Sequence, residues 1–158
     1  MCRTLKSPAS SVPKHGVTSG ESTTGLPGAS GASLVLEIDE PTPSLNKYSG
    51  SHWRTRHRWR DRWRWLIRAA LLNSRSKNYR PEGALRAHAA TGGRVRVSIT
   101  RYGARMLDED NLHGGTKPLR DCLVAEGLLK DDRPQFAEFN VSQQVGKPYR
   151  TTVELTPI

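Results

Sequence analysis

Leu34, Leu36 and Ile38 alternate with Val35 and Glu37, which places the first three on one face of a strand. Pro41-Thr42-Pro43-Ser44 stops that strand, because proline has no amide to donate and restricts the residue before it. Leu45-Asn46-Lys47-Tyr48 leads out of this turn. From about Trp53 to Leu72 the period changes to that of a helix. Trp59, Trp63, Ile67 and Leu71 recur at intervals of four, with Arg60, Arg64 and Arg68 on the neighbouring stripe. Ser74 to Gly93 reads as irregular, a loop or a short extra helix. Val95, Val97 and Ile99 then alternate with Arg94, Arg96 and Ser98, a second half-buried strand.

Asp108 to Gly115 reads as a loop. Pro118 follows where the first turn of a helix tolerates it, Leu119, Cys122, Leu123 and Glu126 line up helically, and Gly127 can close that helix in the left-handed conformation. Ala137, Phe139 and Val141 predict a third strand, and Val153 with Leu155 a fourth. The turn Gly146-Lys147-Pro148 predicts that these two form a hairpin. No internal repeat is visible. The order strand, helix, strand, helix, strand, strand implies an α+β fold: a small mixed sheet of about four strands with two main helices packed on it.

At 158 residues the chain holds one domain. Residues 1–32 are dominated by Ser, Thr, Gly, Pro and Ala, so they are expected to be a disordered tail ahead of a domain at 33–158. Arg3, Lys6 and Lys14 against Glu21 allow a transit-peptide reading, which the frequent Pro and Gly oppose. No apolar run approaches the roughly 20 residues that span a bilayer, and the N-terminus lacks the apolar core of a secretory signal. Cys2 and Cys122 suggest neither a disulfide framework nor a zinc site, and a reducing cytoplasm is the expected compartment. Cys122 reads as a small buried hydrophobe. The formal charge of +10 favours a polyanionic partner.

Against that charge, the acids are grouped. Asp108-Glu109-Asp110-Asn111-Leu112 follows the basic second strand, and in an extended segment residues two apart point the same way, so Asp108 and Asp110 are expected to converge. Asp131-Asp132 returns one helix later. Two carboxylates about 4 Å apart repel by roughly 4 kcal/mol at an effective dielectric near 20, so shared protons or a divalent cation must offset them. Acids in solvated loops need no such partner, but grouping scarce acids in a basic chain argues for one. Mg²⁺ takes hard oxygen ligands and is commonly held by one or two carboxylates plus substrate phosphate.

Asp108-Glu109-Asp110-Asn111-Leu112, then Lys117, Asp121, Leu123, Gly127 and Asp131-Asp132, resembles the signature of the RusA-type Holliday-junction resolvases. Pro43-Ser44-Leu45-Asn46-Lys47-Tyr48 is similar to that family's N-terminal motif. The likeness spans roughly Leu34 to Leu155. His113-Gly114-Gly115 lengthens the spacing between Asn111 and Lys117, a form that phage-like relatives share. The resemblance implies a RusA-like fold and a homodimeric, Mg²⁺-dependent endodeoxyribonuclease, with Mn²⁺ able to substitute. Such an enzyme resolves four-way DNA junctions by paired nicks in recombination and repair, without a small-molecule cofactor. It assigns Asp108, Asp110 and Asp132 as metal-binding catalytic acids, with Asp131 competing for the last place. It also puts Lys117 near the reaction, where it could stabilise phosphorane charge; Lys117 can equally form a surface pair with Asp121 at i, i+4.

His52 to Arg68 holds seven arginines and four tryptophans. A stripe of guanidiniums grips phosphates without sequence choice, and both Arg and Trp stack on exposed bases. Lys47, Arg54, Arg56, Arg60, Arg64, Arg101 and Arg105 are the expected DNA contacts. Trp59 and Trp63 read as core, whereas Trp53 and Trp65 fall off the apolar stripe and are candidates for a partner. His52 and His57 are five apart, poor spacing for one metal, and His113 reads as an exposed loop histidine. Two other functions compete: a DNA- or junction-binding protein without turnover, and an arginine-rich RNA-binding regulator that uses His52 to Arg68 alone. The second leaves the acids unexplained.

Overall fold

A computed structural model describes residues 33–74 and 80–158. The tail at 1–32, with its transit-peptide alternative and Cys2, lies outside the described residues. In chain order the elements are β1 (Leu34–Ile38), α1 (Leu45–Ser49), α2 (Trp53–Asn73), α3 (Pro81–Ala90), β2 (Val95–Gly103), α4 (Glu109–Gly115), α5 (Lys117–Ala125), β3 (Ala137–Val145) and β4 (Arg150–Pro157). The fold is α+β, as its periodicities predict. Two helices were not read as such, α1 in the segment after the first turn and α4 in the supposed loop, while α3 is the short extra helix that Ser74 to Gly93 allowed.

The sheet runs β1-β4-β2-β3, with β4 antiparallel to both its neighbours and β2 parallel to β3. The predicted hairpin of β3 and β4 is therefore wrong, because β2 lies between them. β2 carries the most consistently buried alternation in the sheet, so it gains most from a neighbour on each side. The Gly146 turn instead passes the end of β2, where the Gly146 amide donates to the Gly103 carbonyl at 3.1 Å.

Register aligns the inward side chains into rows. Leu34–Leu155–Val97–Phe139 and Leu36–Val153–Ile99–Val141 cross all four strands and form the apolar floor of the core. On it lie Trp63, Ile67, Ala70 and Leu71 of α2 and Leu119, Cys122 and Leu123 of α5, all buried. The stripe expected on α2 is thus the buried one, with Trp59 packed at its margin, while Trp53 and Trp65 are exposed. α5 ends in a paired cap: the Leu128 amide donates to the Leu123 carbonyl at 3.0 Å and the Gly127 amide to Val124 at 2.9 Å. Gly127 takes the left-handed conformation this requires, φ +71°.

The third inward row, Ile38–Thr151–Arg101–Gln143, is mostly polar. It marks where the core ends and the two loops above it begin. On the outer face, polar residues pair across β2 and β3, as in the 2.9 Å bond from Arg96 Nε to Glu138 Oε1 and the 3.0 Å contact of Thr100 and Ser142 hydroxyls.

Glu126, just past α5, fastens the helical layer. Its carboxylate accepts from Arg64 Nε at 2.7 Å and Arg68 Nε at 2.9 Å, and its carbonyl accepts from Arg86 Nε of α3 at 3.1 Å. Burial alone would raise the Glu126 pKa, but the two guanidiniums outweigh it and hold it below the usual carboxylate range. A lowered folded pKa contributes stability that is present above the ordinary carboxylate value and lost as pH falls through the folded one. Glu126→Gln is expected to cost about 1 kcal/mol at neutral pH, the arginines being half exposed. Denaturant melts at pH 7 and pH 3 check this, since the difference between the two proteins should shrink in acid.

Candidate functional site

The polar third row builds the site. Thr151 is buried; its hydroxyl accepts from the Thr42 amide at 3.0 Å and donates to the Glu40 carbonyl at 2.7 Å. Arg101 donates from Nε to the Thr42 carbonyl and from Nη1 to the Arg105 carbonyl, each at 3.1 Å. Gln143 accepts from the Leu107 amide at 2.9 Å and donates to its carbonyl at 2.7 Å. Three strands thus hold the loop after β1 and the loop after β2 side by side. Asp108 is the residue that follows.

Arg101 corrects the expectation that it contacts DNA. Only 9% of it is exposed, because the alternation that turns Val95, Val97 and Ile99 inward turns Arg101 inward too. Burial, then the neighbouring Arg105, lowers its pKa. Its donors serve backbone carbonyls, so its role at the site is to position the loops.

Asp108 caps α4 rather than lying in an extended loop. Its Oδ1 accepts from the Asn111 amide and its Oδ2 from Asn111 Nδ2, both at 2.8 Å. Those two bonds, the amide's first, hold its carboxyl below the usual range. Because α4 begins at Glu109, the alternate-residue reason for Asp108 and Asp110 converging fails: in a helix residues two apart do not face each other. Asp110 sits in the exposed first turn of α4. Asn111 ties this turn to α1, its Oδ1 accepting from the Asn46 amide at 3.0 Å. Close approach completes the joint. A Cβ on Gly115 would meet the Pro43 carbonyl oxygen at 1.8 Å, so the lengthened His113-Gly114-Gly115 segment is what lets the chain entering α1 rest on α4.

On the other side, Lys117 opens α5 and bridges two acids, its ammonium 2.8 Å from both Asp121 and Asp132. The pairings with Asp121 and then Asp132 raise its pKa. The surface pair with Asp121 foreseen for Lys117 is present, and a second ion pair joins the same ammonium to Asp132. The neighbours Asp131 and Asp132 take different partners: Asp131 turns back on Arg133, accepting from its backbone amide at 3.0 Å and pairing with its guanidinium at 2.9 Å, while Asp132 faces Lys117. The Arg120 guanidinium lies 4.2 Å from the centre of the Phe139 ring, and burial lowers its pKa against the pull of Asp132.

Among the described residues, no three His, Cys, Asp or Glu side chains stand together as a metal-holding group. Asp108, bonded to Asn111, and Asp132, paired with Lys117, sit in separate contact sets, and Asp110 shares neither among the described residues; each is a carboxylate of the kind a hard divalent cation takes, and Mg²⁺ commonly uses only one or two protein carboxylates.

The expected DNA contacts sort by what they touch. Arg64 is engaged by Glu126, as is Arg68, and Arg62 by Glu40. Lys47, Arg54, Arg56, Arg60 and Arg105 make no ion pair with an acid among the described residues. Arg58, not among the expected contacts, joins them, and its place in the same basic run was the available signal. Arg54 packs on the Trp53 ring at 5.3 Å, Lys47 on Trp59 at 5.3 Å, and Arg60 on His57 at 3.1 Å. His113 lines an open cavity of about 430 Å³ with Arg56, Lys117 and Arg120, a setting richer than a bare loop.

No family model matches the chain, and no curated protein matches it. Among solved structures, a 2C-methyl-D-erythritol-2,4-cyclodiphosphate synthase is similar over 49% of this chain and 49% of that one, at 21% identity and a TM-score of 0.28. The chain thus spans about half that protein's length, and at this score the likeness carries no argument. Among the described residues no helix is long and apolar enough to cross a membrane.

Two outcomes test the joint. Asn111→Ala should raise the Asp108 pKa toward the ordinary carboxylate value, read by carboxyl-carbon NMR titration. Gly115→Ala should cost about 1–3 kcal/mol, as overpacking does, and shift amide signals in Pro41–Ser49, read by denaturant melts and NMR.

Proposed function

We propose that this chain is a Mg²⁺-dependent, structure-selective endodeoxyribonuclease that resolves four-way junctions as a homodimer. The observation that carries this reading is the partition of charge. Cations toward the C-terminal half of α2 are neutralised by Glu40 and Glu126, while Lys47, Arg54, Arg56, Arg58, Arg60 and Arg105 pair with no acid among the described residues. Arg105 shares a cavity with Asp108, and Arg56 shares one with Lys117, the cation paired with Asp132. Free cations beside acids suit a phosphodiester drawn onto a metal-dependent site. The resemblance to RusA-type resolvases points the same way.

In this reading Asp108, Asp110 and Asp132 hold the cation. When bound, it neutralises charge on the phosphorus oxygens and acidifies a water. Asn111 orients the Asp108 carboxylate and keeps it ionised. Lys117 offers a second positive group beside Asp132 for the charge that builds during displacement. A two-fold dimer supplies the pair of sites that symmetric nicking needs.

A specific observation favours a second reading, a junction-binding protein without turnover: the Lys117 ammonium stands where Asp121 and Asp132 would otherwise be free to share an ion. Nicking of synthetic four-way junctions separates the two. With Mg²⁺ the wild type should nick in pairs, and Asp110→Asn should lose at least the ~10–100-fold typical of an outer-shell partner. Equal activity would remove Asp110 from the mechanism, and tight binding with no cleavage in Mg²⁺ or Mn²⁺ would favour the second reading. Arg56→Ala should weaken binding to all sequences alike and lower the salt slope by about 1.

A further inference from the structure

The loop after β1 and the loop after β2 enclose a cavity of about 250 Å³ whose walls include Pro41, Thr42, Lys47, Trp59, Arg105 and Leu107. It adjoins a second of about 370 Å³ that shares Ser44, Arg105 and Leu107 and reaches Asp108 and Asn111. Neither the acids nor the charge partition explains the first cavity.

Thr42 shows what it lacks. The residue is 1% exposed, its amide is bonded to Thr151 and its carbonyl to Arg101, yet its hydroxyl has no partner among the described residues. Buried hydroxyls are nearly always hydrogen-bonded, and each exception calls for an explanation. Around this residue Pro41, Trp59 and Leu107 offer flat or apolar surface, Lys47 and Arg105 bring two cations that pair with no acid among the described residues, and the one acid of the wall, Glu40, is engaged by Arg62. A bare inorganic anion would leave the apolar wall idle, and a neutral apolar ligand would leave the cations idle. The volume is below the ~300–1,000 Å³ of drug-sized pockets, so it suits one ring system rather than a base pair.

We infer that this cavity receives one unpaired nucleotide of the bound DNA strand. Its base lies against Trp59 and Leu107, with one polar edge atom on the Thr42 hydroxyl and its phosphate on Lys47 and Arg105. This inference rests on the nuclease reading for its substrate class and extends it: the strand continues past Asp108 into a pocket that selects a base free of its partner. Taking a base out of the stack costs least where it is already unpaired, which gives structure selectivity without sequence readout.

The test is equilibrium binding of the full chain to synthetic four-way junctions, intact or with a single abasic site moved through the nucleotides flanking the crossover. At one position the abasic site should weaken wild-type binding about tenfold, the scale of one base stacked on an aromatic side chain. Thr42→Val keeps the shape and removes the hydroxyl. It should melt no lower than wild type, bind the intact junction several-fold more weakly, and lose nothing further on that abasic junction. If no abasic position weakens wild-type binding, or Thr42→Val loses equally on intact and abasic DNA, the pocket assignment is overturned. Abasic-sensitive binding without Mg²⁺-dependent nicking would leave the pocket standing and sink the catalytic reading. Failure to bind any junction would remove both.

Discussion

A guanidinium buried against backbone carbonyls organises the candidate-site end of this molecule. Arg101 lies in the last inward row of β2, and its hydrogen-bond partners among the described residues are two backbone carbonyls, one on each flanking loop. A charge in such a place is costly unless its donors are used, and its pKa is lowered accordingly. Thr151 and Gln143, its register neighbours, also spend their side chains on loop backbone. The apolar rows below supply the drive to fold, while this row converts a sheet edge into a platform that places Asp108 beside α1.

The parts of the fold that follow from periodicity were readable in advance, because burial of one face leaves a simple imprint. Leu34, Leu36 and Ile38, the Val95 to Ile99 alternation and the Trp63–Ile67–Leu71 stripe all lie in the core. The same parity extended two residues further would have turned Arg101 inward, and treating its charge as a sign of exposure overrode that signal. The short helices were hidden for a different reason. α1 has five residues and α4 seven, too few to display a stripe, and α4 ends in paired glycines. A cap signal was nonetheless there, since an aspartate three residues ahead of Asn111 is suited to bond the first free amides.

Strand order was the least legible feature. Gly146-Lys147-Pro148 has the composition of a tight turn, and nothing local distinguishes a return beside β3 from a step across β2. The deciding factor is non-local: every second residue of β2 is buried from end to end, and the strand takes β4 as its second neighbour. Candidate site residues divide the same way. Asp108, Asp110 and Lys117 could be named from the chain, whereas the different partners of Asp131 and Asp132, and the separation of engaged from free arginines, depend on contacts across distant segments. Glu126, which engages Arg64 and Arg68, lies about sixty residues from them.

The central position of β4 has a consequence for how the chain comes together during synthesis. β1 and β2 have no bond to each other and meet only through residues 150–157. The amide of Thr42 waits for a hydroxyl 109 positions later. Until that strand leaves the ribosome, the earlier helices have no complete floor to settle on. Folding is therefore a late, long-range event, slow by the measure of contact order.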